Sequence, residues 1–166
     1  KNRLGEIEKT RESEQSVSVV DDRFPDFKIY GKIDLIENLN PTNVRVTDFK
    51  TGSARRKGEI EKLDEEGRMS PYLRQLAMYS YLINQSPKWK VDVSESRLEF
   101  VEAKNPKEIF YNTVITQEHT DSVIKDIADY DKLIKSGQWV SRPCNYNSYG
   151  KNTECEYCKL SQIYYK

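Results

Sequence analysis

Apolar and polar residues alternate over 27–37 and again over 44–50, the two-residue period of a half-buried β-strand. Turn chemistry follows each run, Asn38 to Asn43 after the first and Thr51-Gly52 after the second. A shorter run over 16–20 predicts a strand before the turn-like segment Asp21 to Asp26, and 91–93, 97–102 and 109–115 predict three more. The period then changes. Ser70 as N-cap and Pro71 at the first helical position open a helix that runs to about Asn84, with Leu73, Leu76, Ala77, Tyr79 and Ile83 on its apolar stripe. Thr116 opens a second helix through Val123, Ile124, Ile127, Tyr130 and Ile134, which Ser136-Gly137 closes. Residues 1–16 read as the end of a helix and a loop, and 53–69 as a mobile surface loop. Strands and helices mixed in this order predict an α/β fold, a central mixed β-sheet flanked by helices, in a single domain over 1–166.

Chemistry enters at the ends of the strands. Asp48 and Lys50 share a strand face with Val44 and Val46, while Asp34 lies on the parity of Tyr30 and Ile36. One reading is a strand that runs out into solvent and leaves a hydrated ion pair. The other pairs the two strands as a hairpin, so that Asp34 and Asp48 converge with Lys50 one step beyond. Two carboxylates held together repel unless a cation lies between them, and Mg2+ or Mn2+ favours such oxygen ligands. A lysine there could orient a water or stabilise charge on a phosphate. Gln75 and Tyr79, four apart on the predicted helix, share a face, either as core and core edge or as the rim of a site. Arg55-Arg56-Lys57 follows Lys50 closely enough to track phosphates, or else belongs to a solvated loop.

Composition narrows the class. Charged residues make up 33% of the chain and hydrophobic ones 36%, and no apolar run approaches membrane-spanning length, so a cytoplasmic protein with no membrane partner is expected. Lys+Arg and Asp+Glu both number 27, and this balance argues against a strong free-standing nucleic-acid binder while leaving room for a locally basic groove. His119 is the only histidine, which disfavours a Ser-His or Cys-His protease triad.

Gly31-Lys32-Ile33-Asp34, then Thr47-Asp48-Phe49-Lys50-Thr51-Gly52, then Gln75-Leu76-Ala77-Met78-Tyr79 resemble, in that order, the G-x-x-D, D-[YF]-K-[TS]-G and Q-x-x-x-Y motifs of the PD-(D/E)XK nuclease superfamily, in its RecB-like branch. From about Glu14 to Cys158 the chain is similar to the C-terminal nuclease domains of UvrD/Rep-type DNA helicases. The resemblance implies a restriction-endonuclease-like core and a Mg2+- or Mn2+-dependent deoxyribonuclease, exo or endo, acting in DNA repair or recombination. Asp34, Asp48 and the Phe49 backbone carbonyl would bind the metal, Lys50 would activate or orient water, and Gln75 and Tyr79 would align the strand. The implied partners are DNA, single-stranded by preference, and the helicase domains of a longer parent protein from which this domain is excised. RecB-like nucleases carry a metal-binding histidine on an early helix, and this chain has none before His119. Glu14 stands where these nucleases often place an acid opening the first strand.

The tail, 139–166, holds Cys144, Cys155 and Cys158. Cys155-x-x-Cys158 suggests metal rather than a disulfide, but zinc and iron–sulfur clusters normally take four ligands and three thiols are present. In related nucleases one cysteine precedes the core and three follow it; here the first is missing and Tyr164 stands in the place of the last. A complete cluster within this chain alone is not expected. Two other readings stay open: a catalytically inactive DNA-binding or docking module of a helicase with a nuclease-like fold, and a zinc-stabilised interaction domain resting on those cysteines.

Overall fold

The computed structural model describes residues 7–138 and Ile163. Five strands, β1 (Arg11–Val19), β2 (Ile29–Asn38), β3 (Asn43–Lys50), β4 (Asp92–Phe100) and β5 (Phe110–Thr113), form one sheet in the order β1-β2-β3-β4-β5. All neighbours are antiparallel except β3 and β4, which run parallel. Parallel neighbours need a crossover, and the chain between them supplies it through α1 (Lys57–Ile60) and α2 (Pro71–Gln85). A further helix, α3 (Gln117–Lys135), follows β5. This is the expected α/β class with a mixed sheet.

The chain separates into two units, Lys1–Lys125 and Asp126–Lys166. The first holds the sheet, α1 and α2; in the second the described residues are the latter part of α3, the turn after it and Ile163. Gly137 stops that helix as expected, with φ 68° and its N–H donating to the Ile134 carbonyl at 3.1 Å.

The helix start at Ser70 follows from local chemistry. Its Oγ accepts the Leu73 N–H at 3.2 Å and donates to the Ile60 carbonyl at 2.5 Å, while Pro71 takes a position that needs no amide donor. Leu76, fully buried, meets Ile60, Leu98, Phe100 and Tyr111, and this cluster pins α2 across β4.

Three expectations change. Over 11–16 the chain is not helix or loop but the polar half of β1, paired from Arg11↔Glu37 to Val19↔Ile29. It is an edge strand whose first residues are exposed, so it lacks the apolar alternation that announces a strand. The runs 91–93 and 97–102 are one strand, Asp92–Phe100, in which polar Ser94, Glu95 and Ser96 hide the continuity; a register shift between Val44 and Arg45 accommodates it. The 53–69 segment is more than surface loop, because it contains α1 and buries Ile60 and Met69.

Next to the apolar core runs a buried ionic seam. Arg45 clasps Glu37 in a bidentate pair at 2.7 and 2.9 Å, and Thr47 Oγ1 donates to Glu37 at 3.1 Å. Burial alone would raise the Glu37 pKa, but Arg45, the Glu8 amide and Thr47 together hold it below the usual value. The pair locks β2 to β3 just before the hairpin turn.

Candidate active site

The β2–β3 ladder pairs Asn38↔Val44 through Leu35↔Thr47 and then ends. One step further in the same register, Asp34 lies opposite Asp48. The strands no longer exchange backbone bonds there; instead Asp34 Oδ2 accepts the Phe49 N–H at 2.9 Å. The acid therefore holds open a fork in the sheet. Earlier on β2, Gly31 lets α2 approach closely, because a Cβ at that position would lie 2.6 Å from Leu82 Cδ1.

Asp48 is buried at the other side of the fork. Its Oδ1 accepts from Gln75 Nε2 at 2.8 Å and from the Tyr79 hydroxyl at 3.1 Å. Lys50 Nζ stands 2.7 Å from Oδ2 and also donates to Gln75 Oε1 at 2.6 Å. That second bond fixes the Gln75 amide: with its oxygen on the ammonium, its nitrogen must face Asp48 and the Tyr79 hydroxyl, 2.8 Å away. Asp48, Lys50, Gln75 and Tyr79 thus close a ring between a strand end and one helix face.

Electrostatics favour a cation here. Burial pushes the Asp48 carboxyl above its ordinary value, Lys50 pulls it back, and the charge of Asp34 pushes it up again. Tyr79 is held well above a free phenol by burial first and by the Asp48 charge next. Asp48 Oδ2 is buried and, though within ion-pair distance of Lys50, receives no well-angled hydrogen bond. Two carboxylates, one with a free lone pair, are hard oxygen donors suited to Mg2+ or Mn2+, so these residues fit such an ion. Among the described residues, no three His, Cys, Asp or Glu side chains gather, so backbone oxygen and water would complete the set.

The structure thus brings together Asp34, Asp48, Lys50, Gln75 and Tyr79. Arg55 and Lys57 are exposed and lie 3.7 Å from Glu59 and Glu61, their i+4 partners, and the Arg56 amide donates to Glu59 at 2.9 Å. Glu14 is on β1 opposite Asp34, with φ 55° and an exposed side chain paired with Lys32. His119 accepts the Thr116 N–H at 3.1 Å and so caps the start of α3. Cys144, Cys155, Cys158 and Tyr164 lie outside the described residues. Tyr72 was missed as a site residue: its ring centroid is 5.6 Å from Lys50 Nζ. The available signal was its place three residues before Gln75, on the same helix face.

The model of the PD-(D/E)XK nuclease superfamily matches residues 2–163 of this chain. No curated protein matches the sequence. Among solved structures, a protein from Eubacterium rectale described as a candidate exonuclease is similar at 13% identity and a TM-score of 0.51, covering 96% of this chain and 55% of its own. The protein SSO0001 is similar at 19% identity and a TM-score of 0.47, covering 92% of this chain and 59% of its own. The chain therefore spans little more than half the length of these structures. Among its described residues, no helix is long and apolar enough to cross a membrane.

Proposed function

This chain belongs to the PD-(D/E)XK nuclease superfamily, and from that premise we propose that it is a metal-dependent DNA nuclease that hydrolyses phosphodiester bonds. The observation that carries the reading is the ring in which Gln75 and Tyr79 hold one oxygen of Asp48 while Lys50 stands at the other, with Asp34 across the fork.

Asp34, Asp48 and the Phe49 carbonyl would hold Mg2+ or Mn2+. Bound there, such an ion supplies Lewis acidity and lowers the pKa of water toward neutrality. The protein's own part is to place charge. Gln75 and Tyr79 orient Asp48 so that Oδ2 remains available, and burial excludes the water that would screen it. Lys50, anchored by the Gln75 oxygen, keeps its ammonium where a phosphate oxygen or the attacking water would come. That water forms the new bond to phosphorus as the ester P–O bond breaks. The motif order further supports a RecB-like reading, in which single-stranded DNA would be the substrate and UvrD/Rep-type helicase domains would be partners in repair or recombination.

The test is degradation of single-stranded DNA by the purified chain with Mg2+ or Mn2+. Wild type should cut, and Asp48→Ala or Lys50→Ala should abolish cutting. A second reading, a non-catalytic DNA-binding or docking module, is favoured by the lack of a third side-chain ligand among the described residues. It gains if folded wild type is inert with both metals yet binds the strand in a salt-dependent way that Asp34→Ala leaves unchanged.

A further inference from the structure

Lys50 is boxed on three sides, and one wall is an aromatic ring. Its ammonium meets Asp48 Oδ2 at 2.7 Å, Gln75 Oε1 at 2.6 Å and the ring of Tyr72 at 5.6 Å from the centroid. An ammonium has three hydrogens; Gln75 Oε1 takes one, while Asp48 Oδ2 attracts the charge without a well-angled hydrogen bond, so the other N–H groups are left for whatever enters the site. The third wall limits where those N–H groups can point. At this distance a tyrosine ring attracts a cation through its quadrupole, and burial around the lysine strengthens the attraction.

The ring is itself held. Tyr72 packs edge-on against Phe100 with centroids 6.2 Å apart, and Phe100 is the β4 register partner of Lys50. Phe100 is fully buried in the cluster of Ile60, Leu76, Leu98 and Tyr111. The Ser70 cap and Pro71 fix the first turn of α2, on which Tyr72 rides, and Gln75 follows one turn later. The lysine's polar anchor and its aromatic wall thus sit on one rigid helix, three residues apart.

We propose that Tyr72 is a positioning residue that fixes the direction of the Lys50 ammonium, acting through its ring and not its hydroxyl. This rests on the nuclease reading above for its catalytic consequence. The geometric part stands without it, since the ring and the ammonium face each other whatever the site does.

The experiment compares Tyr72→Phe with Tyr72→Leu in the full chain, by two readouts. In single-strand cleavage with Mg2+, Tyr72→Leu should lower kcat about tenfold with KM within about twofold, and Tyr72→Phe should stay within about twofold of wild type. In NMR, the ε-methylene signal of Lys50, assigned by its loss in Lys50→Arg, should show a ring-current shift. Tyr72→Phe should keep that shift, and Tyr72→Leu should move the signal to the position of an ordinary exposed lysine. If Tyr72→Leu leaves the signal in place, or if Tyr72→Phe loses it as Tyr72→Leu does, the proposal is overturned. A cleavage loss that Tyr72→Phe fails to rescue also overturns it. If wild type does not cut at all, the nuclease reading falls and the NMR readout alone decides the placement of Lys50.

Discussion

Asp34 and Phe49 are joined by a side-chain-to-backbone hydrogen bond of 2.9 Å at the point where β2 and β3 part. The carboxylate stands in for the carbonyl that a continuing ladder would have offered, so its two possible duties, closing the fork and binding a cation, can be separated by substitution. Asn keeps an oxygen to accept the Phe49 N–H but removes the charge; Ala removes both. We expect Asp34→Asn to remain within about 0.5 kcal/mol of wild type in urea unfolding, and Asp34→Ala to lose about 1–2 kcal/mol by stranding the amide. Both should lose cleavage by about 100-fold or more if the charge serves the reaction. Cleavage retained in Asp34→Asn would confine this acid to the fork.

Gln75 makes opposite bonds with its two amide atoms, accepting from Lys50 and donating to Asp48 and Tyr79. Neither Glu nor Met can do both. Gln75→Glu sets a third acid against Asp48 and should push that carboxyl further up, whereas Gln75→Met leaves both neighbours unanchored with little change of volume. Each should lower cleavage about 10- to 100-fold, with the greater loss in Gln75→Glu. Equal activity in Gln75→Met and wild type would mean the ring orients nothing that matters.

Gly31 has no room for a side chain. The Leu82 methyl that a Cβ would strike belongs to a residue with 0% exposure, so it has nowhere to retreat. Gly31→Ala should therefore cost about 1–3 kcal/mol, readable as a lowered thermal midpoint. The paired change Gly31→Ala with Leu82→Ala should recover part of that loss, because it returns the space.

Sequence alone reaches the centre of this fold and misses its margins. The β2–β3 hairpin and the start of α2 are legible because alternation and capping are local signals: Ser70-Pro71 begins a helix whatever surrounds it. The convergence of Asp34 with Asp48 is legible as one of two readings of the paired strands, and its meeting with Gln75 and Tyr79 only because the family motifs carry the tertiary information that periodicity lacks. β1 is hidden because an edge strand facing water needs no apolar face, and residues 11–16 are polar throughout. The one-piece β4 is hidden because Ser94, Glu95 and Ser96 break the apolar pattern, and Ser96, though buried, is held in the strand by its pairing with β3 and β5. Pairing partners far along the chain decide both cases, and no local pattern reports them.

Acid should find a particular weak point in the loop between β1 and β2. Asp21, buried, accepts from Arg23 Nε at 2.8 Å, from the Arg23 amide at 2.9 Å and from the Tyr81 hydroxyl at 2.5 Å, which ties the loop to α2. The Arg23 guanidinium, first among these, overcomes burial and holds the Asp21 carboxyl well below its ordinary value of 3.8. A carboxyl depressed in the fold contributes stability that is fully present above the unfolded value, declines as pH falls through it, and is gone below the folded value. The decline therefore begins near pH 4 and runs on into strong acid. Asp48, raised chiefly by burial, has the opposite sign: it holds a proton more tightly when folded, so stability is gained as pH falls toward the unfolded value, just above the range in which Asp21 loses it. Comparing variants separates the two contributions. Urea midpoints from pH 2 to 6 should fall less steeply on acidification in Asp21→Asn than in wild type, and more steeply in Asp48→Asn. Parallel slopes for wild type and Asp21→Asn would show that the Asp21 carboxylate is no better held in the fold than in the unfolded chain.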